Sequence, residues 1–343
     1  MASTYGLDEY RLFIGGELVF DRKEQAQPIG IATRKLQAGP ACAIRLEYVH
    51  CDHHARLGMG VRKVSELIEP EAKTLAAAAD VAVVLAGFDP SNESEGSDRT
   101  FQLPDGQDEL IDIVRGANQN TVVVVTSGGG VDMTRWVDNI RAIVQAWYPG
   151  QEGGTALAQL LFGDFSPSGR LPATFERRFE DSAVYRSYAP QANQAVPYRE
   201  AVFLGYRHFD RVKTRPLFPF GHGLSYTTFR YSGLVVTPAV MPDKGLVTVS
   251  FDLTNTGKRE GAEVAQVYVG DGHAPVPRPV KELKGFAKVS LGPGQSKRMQ
   301  ISLDHRALSY FDETAQQRRA EPGDFDVLVG PRHNRLSCGV SSR

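Results

Sequence analysis

The sequence predicts an α/β core built on a largely parallel sheet, with β-rich segments before and after it. Strand-length apolar runs alternate with helical patterns between residues 65 and 162. Before residue 60 and after residue 234, alternating side chains and Gly-rich turns take their place. The chain has 343 residues, enough for two or three domains at roughly 100–200 residues each.

Residues 10–14, the Gly15-Gly16 pair and residues 17–20 read as a hairpin with a glycine turn. A third strand, 43–49, alternates apolar and polar side chains. Three or four strands make only part of a β-domain, so this block reads as a partial β-sandwich. Glu69-Pro70-Glu71 opens an Ala-rich helix through Ala79, with proline near the first turn, where it is tolerated. Residues 81–86 form an apolar strand. Pro104-Asp105 begins a helix carrying Leu110, Ile111 and Val114 on one face. Residues 121–126 and 142–147 are two more strands, and Pro149-Gly150 leads into a helix over 155–162. Continuous apolar strands alternating with helices imply a parallel sheet covered on both faces. Ligands gather at the carboxyl ends of such strands, which directs attention to the loops after Ala86, Thr126 and Trp147.

Residues 164–230 are rich in Pro and Tyr and show little periodicity. From Leu234 the alternation is β again. Strands are expected at 247–253, 263–269, 298–303 and 325–329, separated by Asn255-Thr-Gly257, Gly292-Pro-Gly294 and Glu321-Pro-Gly323. This spacing fits an immunoglobulin-like sandwich of roughly 100 residues.

Composition excludes several functional classes. Lys plus Arg total 39 and Asp plus Glu total 40, a net charge of −1 at pH 7. No nucleic acid partner is expected without a basic face to pair with phosphates. With 41% hydrophobic and 23% charged residues, the chain can bury an ordinary core. The longest apolar runs fall far short of a bilayer span, so no membrane partner is expected. Met1-Ala-Ser-Thr-Tyr5 has no basic segment followed by an apolar one, so no signal peptide is visible and the compartment stays open. Cys42, Cys51 and Cys338 are too scattered for a disulfide framework. Cys42 and Cys51 could pair across neighbouring strands, but buried free thiols are the preferred reading. The run His50-Cys51-Asp52-His53-His54 resembles a metal cluster, yet adjacent strand residues point to opposite faces. It is read as polar residues at a strand end, and no metal is assigned.

The loop after the first parallel strand holds Asp89, Glu93, Glu95, Asp98 and Arg99. A general acid needs a carboxyl held near substrate with a raised pKa, which such a loop can supply. Composition alone favours a solvated acidic loop instead. Ser127-Gly128-Gly129-Gly130 lacks the spacing of a dinucleotide cradle and has no Gly-Lys-Ser/Thr ending. Its glycines fit tight turning or close backbone approach better. No Gly-x-Ser-x-Gly elbow is present. Trp136, Trp147 and Tyr148 are candidate sugar platforms, with simple core packing as the competing reading.

Glu93-Ser-Glu-Gly-Ser-Asp-Arg99, with Leu103-Pro104 and Gln107, resembles the acid/base loop of family 3 glycoside hydrolases, the β-glucosidase-like enzymes. Trp147-Tyr-Pro-Gly-Gln-Glu-Gly-Gly154, Gly163-Asp-Phe-Ser-Pro-Ser-Gly-Arg-Leu-Pro172 and Gly205-Tyr-Arg207 are similar to further strings of that family. Phe218-Pro-Phe-Gly-His-Gly-Leu-Ser-Tyr226 and Arg278-Pro-Val-Lys-Glu-Leu-Lys-Gly-Phe286 complete the series. The resemblance covers about residues 70–343. Residues 1–60 look like the second half of the lectin-like (protective-antigen type) β-sandwich inserted in many members. The fold class it implies is an α/β sandwich with a largely parallel sheet, preceded by a partial β-sandwich and followed by a fibronectin type III-like β-sandwich. The corresponding domains are 1–64, 65–230 and 231–343.

The resemblance also implies a retaining β-glycosidase mechanism that uses two carboxyl groups about 5–5.5 Å apart. It puts the general acid/base at Glu95, with Glu93 as runner-up because the loop varies in length. Asp98 and Arg99 then order the loop. No metal or cofactor is implied, and no substrate-binding residue is assigned. The family's nucleophile is an Asp in a Ser-Asp-Trp-like string of an N-terminal (β/α)₈ barrel. This chain has no such string and no room for a barrel of roughly 250 residues. The expectation is a β-glucosidase-like chain that supplies the acid/base loop and lacks the nucleophile. Its substrates would be β-glucosides or oligosaccharides, and its partner a separate (β/α)₈ barrel chain. The alternative is a non-catalytic carbohydrate-binding or scaffold fragment. An incomplete sandwich should also leave apolar strand edges exposed in residues 1–60.

Overall fold

A computed structural model describes residues 2–342 except 5–8, 22–28, 31–33, 35, 38, 51–56, 62, 64–67, 91, 96–98, 188–195, 242–244 and 331–335. The chain divides into two compact units, Met1–Tyr148 and Pro149–Arg343. Among the described residues, no helix is long and apolar enough to cross a membrane.

The first unit begins with β1 (Ala2–Thr4), β2 (Glu9–Ile14), β3 (Glu17–Asp21), β4 (Ile29–Gly30), β5 (Ile44–Val49) and β6 (Leu57–Met59). They form two three-stranded antiparallel sheets, β4-β1-β6 and β3-β2-β5. Gly15 and Gly16 join β2 to β3 with φ of 61° and 87°, the left-handed pair that a tight type I′ hairpin turn requires. Alternation along β2 buries Tyr10 and Leu12, which cluster with Phe20. The Tyr10 and Phe20 rings stack at 5.2 Å. Ile44, Val49, Leu57 and Met59 remain exposed, as expected of a thin sheet. Cys42 is also exposed and free, against the expectation of a buried thiol. It precedes β5 in an extended stretch, residues 40–45, that no layer covers.

Next come α1 (Glu71–Ala78), β7 (Ala82–Gly87), α2 (Gln107–Ala117), β8 (Thr121–Thr126) and β9 (Ala142–Gln145). Pro70 caps α1, and Glu71 in its first turn complements the helix dipole. In α2, Ile111 and Val114 are buried one turn apart. The strands pair in parallel in the order β7-β8-β9, and Val123, Val124 and Val125 are fully buried. Coverage of both faces fails at β7, where Val83 is 46% and Leu85 67% exposed. Among the described residues, β7 is an edge strand that pairs with β8 alone. Apolar periodicity reports what a strand is able to bury, not what is present to bury it. The third strand stops at Gln145, two residues early, because Trp147 adopts a left-handed φ of 57°.

The second unit opens with α3 (Gly153–Phe162), ended by Gly163 at φ 80°. The Asp164 N–H reaches back to the Gln159 carbonyl at 2.8 Å, the closure that a left-handed glycine permits. A short helix, α4 (Tyr206–Val212), breaks the aperiodic passage; at two turns it is too short to register as periodicity. The sandwich comprises β10 (Phe229–Thr237), β11 (Val240–Met241), β12 (Leu246–Asn255), β13 (Gly261–Gly270), β14 (Glu282–Leu291) and β15 (Ser296–Asp304). It continues with α5 (His305–Leu308), β16 (Tyr310–Asp312), β17 (Gln317–Arg319), β18 (Gly323–Val329) and β19 (Leu336–Ser342). Its two main sheets are β10-β12-β15 and β11-β19-β18-β13-β14. Val247, Val249, Phe251 and Leu253 of β12 share a core with Val267 and Val269 of β13 and Phe325, Val327 and Val329 of β18.

Beyond β11, β16, β17 and β19, which the sequence reading does not include, two details differ from it. β10 starts at Phe229 rather than Leu234, because a register shift at Ser232/Val235 interrupts its alternation. β14 was not expected at all, since Lys284, Gly285 and Lys288 hide its pattern.

Residues 163–226 are fastened to this sandwich by buried polar groups. Arg170 pairs with Glu263 and donates to the Gly223 carbonyl. The Tyr231 hydroxyl donates to the other Glu263 oxygen at 2.9 Å. Lys281 pairs with Asp210. A Cβ at Gly223 would stand 2.2 Å from the Gly169 carbonyl oxygen. Several of the family-like strings thus have a structural task here.

Candidate active site

Because β7, β8 and β9 are parallel, their carboxyl ends open on one side and three loops meet there. Glu93 lies on the loop after β7, residues 127–130 form the turn after β8, and Tyr148 follows β9. This is where ligands were expected to gather.

The Glu93 carboxylate joins all three. Arg99 Nε donates to its Oε1 at 2.9 Å. The Gly128 N–H lies 3.2 and 3.1 Å from Oε1 and Oε2. The Tyr148 hydroxyl donates to Oε2 at 2.5 Å. Arg99 is itself held, donating to the carbonyls of Thr100 at 2.9 Å and Gly130 at 2.8 Å. Its guanidinium carbon lies 4.7 Å from the Phe88 ring centre, within cation–π range.

Burial pushes the Glu93 carboxyl up, but the Tyr148 and Gly128 hydrogen bonds and the Arg99 charge outweigh it and hold the group below its ordinary value. The Tyr148 hydroxyl, desolvated and bonded to that anion, is pushed up to about 12. Glu93 is therefore an ionised anchor at neutral pH and has no proton to give.

The glycine turn has a steric reason. A Cβ at Gly128 would sit 2.6 Å from Glu93 Oε1, and one at Gly129 would sit 3.3 Å from Arg99 Nη2. Close backbone approach is the reading this bears out. Ser127 is buried, donates to the Gly129 carbonyl at 2.7 Å and accepts from Gln145 Nε2.

Glu95 is exposed, and no hydrogen bond or ion pair to its carboxylate is made among the described residues. It stands two residues from a carboxylate whose oxygens are both committed. Asp98 and the segment Cys51–His54 of the metal-like run lie outside the described residues. Trp136 cannot be a sugar platform: it has no exposed surface and donates through Nε1 to Asp108 Oδ1 at 2.8 Å. Trp147 is half-buried, and the half-exposed Tyr148 ring has its hydroxyl committed to Glu93.

Sequence reasoning missed what Gln107 and Tyr148 do. Gln107 Oε1 accepts the Gly87 N–H at 2.6 Å, and its Nε2 donates to the Gly87 carbonyl at 2.9 Å. Gly87 has φ of 137°, and a Cβ there would stand 2.0 Å from the Thr126 carbonyl oxygen. Nothing in the spacing of these residues signals such long-range pairings.

Comparison with known proteins follows the same lines. The glycosyl hydrolase family 3 C-terminal domain matches residues 24–226, and a fibronectin type III-like domain matches residues 263–333. Thermostable β-glucosidase B of Acetivibrio thermocellus is 42% identical over 268 residues, covering 78% of this chain and 35% of that protein. A β-glucosidase of Rhizobium radiobacter is 36% identical over 357 residues, covering 96% of this chain and 43% of that protein. Among solved structures, the Streptomyces venezuelae β-glucosidase DesR in complex with D-glucose superposes with a TM-score of 0.77 at 31% identity. That match covers 99% of this chain and 44% of DesR. The chain thus spans less than half the length of these relatives. With the family's C-terminal domain matching more than half of its residues, the chain belongs to glycosyl hydrolase family 3.

Proposed function

We propose that this chain serves the hydrolysis of terminal β-linked sugars from β-glucosides by a retaining mechanism, with Glu95 as general acid/base. The observation that carries the assignment is the contrast between the two loop glutamates. Glu93 is consumed by Arg99, Gly128 and Tyr148, whereas Glu95 is exposed and uncommitted. The protonated Glu95 gives its proton to the glycosidic oxygen as the bond to the anomeric carbon breaks. A carboxylate about 5–5.5 Å away attacks that carbon and forms a glycosyl ester. Glu95, now ionised, then takes a proton from the water that releases the sugar. The nucleophilic carboxylate comes from a (β/α)₈ barrel outside this chain. In this reading the domains are a lectin-like insert segment at 1–64, the α/β acid/base domain at 65–230 and the fibronectin type III-like domain at 231–343.

The test is hydrolysis of aryl β-glucosides by the purified chain and by Glu95→Gln, each alone and mixed with a separately produced family 3 barrel. Turnover is expected only in the mixture. Glu95→Gln should lower it about 10²–10⁴-fold for a poor leaving group and markedly less for an activated aryl group. Equal losses for both leaving groups would remove Glu95 from the acid role. Turnover by the chain alone would overturn the external nucleophile.

A further inference from the structure

We propose that Glu93 is a positioning residue, whose ionised carboxylate clasps the loops after β7, β8 and β9 into one frame that fixes the segment carrying Glu95. The inference rests on the acid/base reading of Glu95 and adds how that residue is held. Glu93 and Arg99 stand on either side of Glu95 in the chain, and a 2.9 Å ion pair joins them. The Glu93 carboxylate is also tied sideways, by Gly128 to the turn after β8 and by Tyr148 to the end of β9. The donations of Arg99 to the Thr100 and Gly130 carbonyls fix the other end of that pair.

The charge is needed for a stoichiometric reason. Arg99 Nε–H, Gly128 N–H and Tyr148 O–H are three donors converging on one side chain. An ionised carboxylate is acceptor-only and satisfies all of them. A glutamine of the same shape presents one acceptor oxygen and no charge for Arg99, and its NH₂ finds a partner in the Tyr148 oxygen only if that hydroxyl gives up its own donation. The charged and titratable groups facing the clasp are Arg99, Tyr148 and, acting on Tyr148, Asp89.

The experiment is amide hydrogen exchange and NMR on the full chain, in wild type, Glu93→Gln, Gly128→Ala and Glu95→Gln. Glu93→Gln should speed exchange of the Gly128 amide and of residues 92–100 about tenfold or more, while α2 stays protected, as expected of local opening. Gly128→Ala keeps every charge but crowds the carboxylate, and should give the same pattern. The Gly128 amide resonance should titrate as pH falls below 4.5 through the depressed Glu93 value, and Glu93→Gln should abolish that titration. Wild-type exchange in both Glu93→Gln and Gly128→Ala would overturn the clasp. So would an increase spread equally over α2, or a Gly128 titration that survives Glu93→Gln. Glu95→Gln should leave exchange unchanged, so failure of the acid/base reading would appear in turnover and failure of the clasp in exchange.

Discussion

Asp108 and Glu93 are both partly withdrawn from water, and their partners send them in opposite directions. Burial raises the Asp108 carboxyl, and the Trp136 hydrogen bond and nearby Arg135 only partly offset it. Its ionised form therefore weakens the fold at neutral pH, a penalty relieved as pH falls through its raised value. Glu93 behaves the other way. Its contribution is present above about 4.5 and is lost as pH falls through its lowered value. Asp108 is still needed, because it accepts the indole N–H of a tryptophan with no exposed surface. Asp108→Ala should cost about 1–3 kcal/mol by orphaning that donor. Asp108→Asn keeps an acceptor and removes the strained charge, so it should stay within about 1 kcal/mol of wild type. Urea unfolding of both variants at pH 7 measures the difference. A loss in Asp108→Asn as large as in Asp108→Ala would mean that the charge itself holds Trp136.

Among the elements of the first unit, β7 leaves apolar side chains uncovered. Among the described residues it pairs with β8 alone, and it turns Val83 and Leu85 towards solvent, with Val81 exposed just before it. An exposed apolar edge of this kind templates strand addition and aggregation. Leu85→Lys should therefore slow aggregation on heating, read as light scattering, without lowering the unfolding midpoint, since Leu85 is 67% exposed. A lowered midpoint would show that Leu85 is packed after all. The edge strand also marks what a sequence conceals. Its apolar run was legible as a strand; that no layer lies over Leu85 was not. The body of β12 was legible, at 247–253, because its alternation is unbroken from Leu246 to Asn255. β14 was not, because lysines occupy positions where alternation would be read.

For the molecule as a whole, the acidic loop, the glycine turn and the Trp147-Tyr148 string were each legible as separate features. Their convergence on Glu93 was not, because it depends on three chain segments brought together by a parallel register. The family-like string already put Glu95 before Glu93; the hydrogen bonds that commit Glu93 are a separate feature that no local pattern encodes. Net charge is a property that sequence does give, and at −1 with eight histidines the chain has little self-repulsion at pH 7. One feature at the β7 edge also limits what can be added to it. The Gln107 side-chain amide fills the place where a neighbouring strand would offer its peptide group to Gly87. An arriving strand can run beside Val83 and Leu85, but it must leave the sheet there. Gln107 is an end-stop, and it keeps the mouth of the site clear of any strand that lengthens the sheet.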